Sequence, residues 1–274
     1  MLYYLLLSYL PAFVLAIRNP IDSNKRDILS VFTFDKIFWV NDGPYRCTSK
    51  QKGAILAAID DAHILTHKVI EALSVRHAEQ STAFLTWFGQ EHSFKSLITN
   101  LKHPQLPIKI DGLNNRAPSP ATANSLVYAC NPETPKDTAL AITHSPSPGD
   151  PYDGPTYLAF HHLFFEENLS LQQMVNEWKR IPYRKKFIPS RALTLIHEFQ
   201  HMYLATGLDH WCDDVPDPAV KSRHAKCYDF DCSCKSIPDN QKIINAQNFA
   251  IFAEYIYTWP ETAKVPLKYR LRPW

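Results

Sequence analysis

The sequence is poor in glycine and carries almost no excess charge of either sign. Only 7 of its 274 residues are glycine, and neither G-x-G-x-x-G nor G-x-x-x-x-G-K occurs, which excludes the usual glycine-rich phosphate loops. Lysine and arginine total 29 against 27 acidic residues, so the formal net charge is +2. We expect no nucleic-acid partner, because proteins that bind nucleic acids carry a basic excess or a basic stripe.

Long apolar runs are also scarce, apart from one at the start of the chain. Residues 1–17 are uncharged and mostly apolar, which predicts a signal peptide cleaved after Ala16. A membrane helix is the alternative, but this run is short for a span and Pro11 interrupts it. We therefore expect residues 1–16 to be a signal peptide. Residues 17–274 are expected to form one secreted, monomeric domain without a membrane contact after cleavage.

The cysteine content agrees with export from the cell. An even number of cysteines in an oxidising compartment predicts up to three disulfides, and the pairing stays open among 15 connectivities. A second, structural zinc site is the alternative for the four cysteines after residue 208. Their C-x-C spacing and the secreted context favour disulfides. The six residues are Cys47, Cys130, Cys212, Cys227, Cys232 and Cys234.

The pattern of apolar residues predicts an α+β, mainly α domain with a small antiparallel sheet. Apolar residues recur at helical spacing over 49–75, with Thr48 or Ser49 as the N-cap. Further helices are predicted over 84–88, 94–101, 169–178, 190–205 and 239–257. Three β-type runs, separated by turn residues, cover 125–130, 139–143 and 157–165.

The helix predicted over 190–205 contains an H-E-x-x-H motif. His197 and His201 lie four residues apart, so their imidazoles project from one helix face at a spacing that suits a single zinc ion. Glu198 stands one position along and reaches a water in the open coordination position without binding zinc itself. The motif therefore predicts metal-dependent hydrolysis with Glu198 as the general base.

A catalytic zinc ion usually has three protein ligands and one water. The third ligand is expected downstream, after Gly207 ends the helix and the chain turns back. Oxygen and nitrogen donors in that stretch are Asp209, His210, Asp213, Asp214 and Asp217.

The region around this motif resembles the aspzincins, the zinc metallopeptidase family of deuterolysin and the lysine-specific metallo-endopeptidases. In that family a Gly-Thr-x-x-Asp element follows the motif, and the local sequence here is Ala205-Thr206-Gly207-Leu208-Asp209. Looser similarity covers about residues 45–258. It includes the alanine-rich helix after Cys47, the run 157–165 as an edge strand, and Asn245-Ala246-Gln247-Asn248-Phe249-Ala250 in the last helix.

The resemblance implies a zincin-like fold and one catalytic zinc ion held by His197, His201 and Asp209. It also implies a tyrosine that stabilises the reacting carbonyl, for which Tyr228 is the candidate. The implied function is a secreted zinc-dependent endopeptidase that acts on proteins or peptides. A catalytically silent secreted effector or binding protein is the alternative, and the intact Glu198 favours the enzyme.

Overall fold

A single sheet, eight α-helices and two short 3-10 helices, Ala78–Gln80 and Pro260–Ala263, make up the regular structure of the described residues. The computed structural model describes residues 34, 36–40, 42–89, 125–132, 139–145, 154–166, 169–180, 189–206, 211–220, 225–232 and 236–266. All of them belong to one compact unit, Phe32–Trp274, and a second unit, Met1–Val31, lies outside the described residues. The signal-peptide cleavage site and the helix predicted over 94–101 also lie outside them.

The sheet has four strands in the order β1-β2-β4-β3. The strands are β1 (Lys36–Trp39), β2 (Ser125–Cys130), β3 (Ala141–His144) and β4 (Thr156–Phe160). β2 pairs in parallel with both β1 and β4, and only β3 and β4 are antiparallel. The prediction of an antiparallel sheet is therefore wrong, and the sheet is mixed. The helices between β1 and β2 provide the long crossover that a parallel pair needs.

Strand β4 is shorter than predicted and does not lie at the edge. The run 157–165 divides at His161, and residues 162–166 form a helix instead. A short apolar run does not by itself distinguish a strand from a buried helix. The edge position next to β4 belongs to β3, and β1 is an additional strand that was not predicted.

Seven of the eight α-helices lie where the sequence predicts a helix, with two interruptions, and the eighth, His162–Glu166, overlaps the predicted β-type run 157–165. The eight are α1 (Ser49–Leu73), α2 (Thr82–Phe88), α3 (His162–Glu166), α4 (Leu171–Arg180), α5 (Arg191–Gln200), α6 (Tyr203–Thr206), α7 (Asp239–Lys242) and α8 (Ala246–Thr258). α1 begins as predicted, because Thr48 and Gln51 cap it reciprocally through side chain and main chain. No described helix is both long enough and apolar enough to cross a membrane.

Each interruption occurs where a main-chain carbonyl accepts a hydrogen bond from a residue distant in sequence. The helix predicted over 190–205 ends at Gln200, whose carbonyl accepts a hydrogen bond from Cys212 N at 2.7 Å. The helix predicted over 239–257 divides into α7 and α8 near Ile244, whose carbonyl accepts from Asp213 N at 2.9 Å. A carbonyl used in this way is lost to the helical ladder, so the tertiary contact determines where the helix ends.

Helix α5 lies between the sheet and α8. Nine of its ten residues are buried. Leu195 and Phe199 pack in the cluster that covers the helix-facing side of the sheet, whereas Leu193 and Ile196 pack in the cluster formed with α8. Helix propensity contributes little to a segment of this length, so packing on two sides holds α5 in place.

Two disulfides are present among the described residues. Cys47–Cys130 joins the start of α1 to the end of β2, and Cys227–Cys232 closes a short loop. The prediction of disulfides is confirmed for these four residues, and they indicate an oxidising compartment. The Cys212 thiol is in neither bridge and lies 3.8 Å from the Ile243 carbonyl oxygen. Cys234 lies outside the described residues.

A buried carboxyl group anchors the first turn of α5. Ser190 is the N-cap as predicted, with its hydroxyl oxygen accepting from Leu193 N at 3.0 Å. Its main-chain N–H and its hydroxyl both donate to Oε1 of Glu254 on α8. Burial raises the pKa of Glu254 to about 8, although the bonds from Ser190 oppose the shift. The nearby Asp61 carboxylate raises this pKa further.

We expect Glu254→Gln to change how stability depends on pH. Between pH 4.5, the ordinary pKa, and about 8, the folded chain holds a proton on Glu254 that the unfolded chain has released. This proton makes the free energy of unfolding fall by about 1.4 kcal/mol per pH unit as the pH rises. Denaturant unfolding across this window should show that the variant lacks this contribution. Glu261→Gln, at an exposed carboxylate just after α8, is the control, and equal slopes for Glu254→Gln and wild type would contradict the prediction.

Candidate metal centre

The two histidines of the motif face each other at the end of α5. Their Nε2 atoms are 3.1 Å apart, and the ring planes make an angle of 82°. His197 lies in the last turn of the helix, and His201 is its C-cap residue. The helical spacing has therefore placed both nitrogens at one point, as the motif predicts.

Asp214 reaches the same point from a distant segment. Its Oδ1 atom lies 3.2 Å from His197 Nε2 and 3.5 Å from His201 Nε2. Among the residues that the structure describes, these three form the one group with metal-ligand atoms all within 4.8 Å of each other. Two imidazoles and a carboxylate are a ligand set that zinc takes in catalytic sites.

Main-chain hydrogen bonds hold Asp214 in place. The residue before it, Asp213, donates its N–H to Ile244 O at 2.9 Å and accepts from Ala246 N at 3.0 Å. The residue after it, Val215, donates its N–H to the side-chain oxygen of Asn245 at 3.3 Å. Asp214 is thus fixed on both sides by the junction that precedes α8.

The spacing of the three atoms fits a tetrahedral ion. Bonds of about 2.0–2.1 Å to zinc place neighbouring ligand atoms roughly 3.3 Å apart, and the three observed distances lie between 3.1 and 3.5 Å. Asp214 Oδ1 is buried and accepts no hydrogen bond from the described residues. A buried carboxylate oxygen without a donor is costly, and a cation at this point would remove that cost.

A hydrogen bond fixes the orientation of the His201 ring. Its Nδ1 lies 2.8 Å from the carbonyl oxygen of Cys212. Because a carbonyl only accepts, Nδ1 carries the hydrogen, and in the neutral ring the Nε2 lone pair then faces Asp214. Metal-bound histidines in proteins commonly make this kind of second contact.

The charges at this point favour a cation. Burial lowers the pKa of His201, but the Asp214 carboxylate and the charge of Glu198 outweigh burial and raise the pKa to about 9. Burial raises the pKa of Asp214, yet the two imidazoles hold it well below its usual range. The carboxylate is therefore ionised at neutral pH, and it attracts positive charge to the two rings.

Glu198 is buried beside this group on the same helix. Its Oε2 atom accepts a hydrogen bond of 2.7 Å from the hydroxyl of Thr143 on β3. No local signal in the sequence links Thr143 to Glu198, because 55 residues separate the two. The contact depends on β3 lying against α5.

Tyr228 contacts the second carboxylate oxygen of Asp214. Its hydroxyl donates to Asp214 Oδ2 at 2.8 Å, and its ring is 5.7 Å from that of His197 between centroids. Burial and the negative charge of Asp214 raise the pKa of Tyr228, which keeps the hydroxyl protonated. Gln247 of α8 donates to the Tyr228 carbonyl at 2.7 Å and so fixes the main chain there.

The structure thus brings together four of the sequence-predicted functional residues and adds Asp214 from the open set of third ligands. Asp209 and His210 lie outside the described residues, so Asp209 as a ligand stays a prediction. Asp213 and Asp217 are not in the metal-ligand group. The four are His197, Glu198, His201 and Tyr228.

The chain resembles a zinc peptidase of known structure. It is similar to the zinc peptidase from Grifola frondosa with a TM-score of 0.45 and 16% sequence identity, covering 76% of this chain and 96% of that chain. No protein-family model matches the chain. No curated protein sequence matches it either.

We expect Asp214→Asn to weaken zinc binding by more than about 100-fold, since loss of a ligand should exceed the 10- to 100-fold effect typical of outer contacts. Titration of metal-free protein with zinc, followed by calorimetry, measures the affinity. Asp213→Asn is the matched control, because the Asp213 side chain is exposed and its main chain makes the docking bonds. An unchanged affinity for Asp214→Asn with a large loss for Asp209→Asn would assign the third ligand to Asp209.

Proposed function

We propose that this protein is a secreted zinc-dependent endopeptidase. The observation that carries the proposal is the convergence of His197 Nε2, His201 Nε2 and Asp214 Oδ1 within 4.8 Å. A buried glutamate, Glu198, follows the first of these ligands directly. In this proposal the three residues hold one zinc ion, and residues 17–274 form the catalytic domain.

When bound, zinc supplies a Lewis acid that activates water and polarises the scissile carbonyl. Glu198 accepts a proton from the attacking water, whose oxygen bonds to the carbonyl carbon. When the carbon–nitrogen bond breaks, Glu198 passes this proton to the leaving amine. The carboxylate therefore returns to its ionised form at the end of each turnover.

The Tyr228 hydroxyl has two roles in this mechanism. It donates to Asp214 Oδ2, which directs the other oxygen, Oδ1, toward the histidines. As the carbonyl oxygen becomes negative, the hydroxyl turns from Asp214 Oδ2 and donates its one hydrogen to that oxygen instead, which stabilises the developing charge. The raised pKa of Tyr228 supports both roles, because only the protonated form donates.

Strand β3 offers a binding edge for the substrate. It is the outermost strand of the described sheet on the side of β4. An extended peptide that paired with this edge would bind through its main chain, as in other strand-addition complexes. Such binding suits an endopeptidase, because it does not depend on a free chain terminus.

Secretion is part of the proposal. The two disulfides indicate an oxidising compartment, and the apolar start of the chain, 1–16, is proposed as the signal peptide that directs the chain there.

We expect Glu198→Gln to retain zinc and to lose casein cleavage by roughly 10²- to 10⁴-fold, because the amide does not accept the proton of the water. Metal analysis and a cleavage assay on the same preparation measure both quantities. Glu166→Gln, at an exposed carboxylate on α3, is the matched control. Removal of zinc by a chelator should abolish cleavage in the wild type, and added zinc should restore it.

Two outcomes would contradict the proposal in different ways. A zinc-loaded wild type that cleaves neither casein nor a mixed peptide library would leave a secreted zinc-binding protein without this activity. Full cleavage by zinc-loaded Glu198→Gln would retain the peptidase but remove Glu198 as its base.

A further inference from the structure

We infer that Thr143 is a positioning residue that sets the orientation of the Glu198 carboxylate from the edge strand. This inference rests on the proposed function for its effect on catalysis. The contact itself is a property of the folded chain: the Thr143 hydroxyl lies 2.7 Å from Glu198 Oε2.

The hydroxyl hydrogen goes to the carboxylate. Thr143 Oγ1 lies 3.3 Å from the Glu198 main-chain oxygen as well, but that oxygen already accepts from His201 N at 3.1 Å. A hydroxyl has one hydrogen to donate, and the shorter contact is to a charged acceptor. The carboxylate is therefore bound through Oε2, and this bond leaves Oε1 for a second contact.

The donor is held more rigidly than the acceptor. Thr143 pairs with Leu158 in the antiparallel ladder between β3 and β4. Its side chain is β-branched, so χ1 has few accessible rotamers. Glu198, in contrast, has a long side chain with three rotatable bonds, and its main chain is fixed in α5. A fixed donor thus selects one orientation of a flexible base.

The alternating direction of the side chains along β3 explains why Thr143 faces α5. Along the strand, Ala141 is buried, Ile142 is exposed, Thr143 is half-buried and His144 is exposed. Thr143 shares the inward face with Ala141, while its two neighbours face the other side. The Thr143 hydroxyl therefore connects β3, the strand proposed to bind the substrate, with Glu198, the proposed general base. A peptide on that edge would lie beside a base whose direction is already set.

This arrangement predicts an effect on turnover rather than on binding. We expect Thr143→Val, which has the same shape without the hydroxyl, to lower kcat by roughly 10- to 100-fold, the fold-change that corresponds to one charged hydrogen bond. KM and the zinc content should stay near their wild-type values. Thr143→Ser keeps the hydroxyl and should recover most of the lost kcat.

The control is Thr86→Val on α2, which removes a hydroxyl that donates to Thr82 O away from the site. It should leave kcat and KM unchanged. Thermal unfolding of each variant and its zinc stoichiometry separate a local loss of orientation from general damage. Crystal structures of zinc-loaded wild type, Thr143→Val and Thr143→Ser then give the Glu198 carboxylate position directly, independent of activity. We expect the carboxylate to move only in Thr143→Val.

Several results would overturn the inference. They are wild-type kcat in Thr143→Val, equal loss in Thr143→Ser and Thr143→Val, a rise in KM alone, or loss of zinc together with kcat. If the zinc-loaded wild type cleaves nothing, the proposed function fails, and the crystal structures still decide the positioning role. An unmoved Glu198 carboxylate in Thr143→Val would then refute it.

Discussion

The candidate metal centre depends on the hydrogen bonds that dock residues 212–215 between the end of α5 and the start of α8. Cys212 N bonds to Gln200 O, and Asp213 bonds through both its N–H and its carbonyl to the junction before α8. These bonds end one helix and separate two others. They also bring the Asp214 carboxylate to the histidines, which α5 alone does not achieve. Backbone groups are strong, directional donors and acceptors, so this placement tolerates little variation.

Burial makes this arrangement costly unless a cation completes it. Three groups that can carry charge, His201, Asp214 and Glu198, lie close together in largely buried positions. A carboxylate oxygen without a hydrogen-bond donor adds to the cost. A divalent ion would offset it by binding the two imidazoles and the carboxylate together. The electrostatics of the site and its geometry therefore favour the same class of ligand.

Three polar contacts hold the proposed ligands and the proposed base, and each contact orients one group. The Cys212 carbonyl fixes the His201 ring, the Tyr228 hydroxyl fixes Asp214, and the Thr143 hydroxyl fixes Glu198. Tyr228 lies within the loop that the Cys227–Cys232 disulfide closes, and Cys212 belongs to the docked residues 212–215, so the main chain has little freedom at both. Such outer contacts keep reacting groups within a narrow range of positions.

Local chemistry in the sequence determined the capped α1, the N-cap at Ser190, and the histidine pair with Glu198 beside it, because each depends on residues within one or two helical turns. Only the tertiary structure decided that the sheet is mixed, that β3 is its edge, and that α5 ends at Gln200. It also brought Asp214, one of the five candidate third ligands, to the histidines and placed the Thr143 hydroxyl beside the Glu198 carboxylate. Those contacts join residues far apart in the chain, so they follow from packing and main-chain docking rather than from spacing along one element.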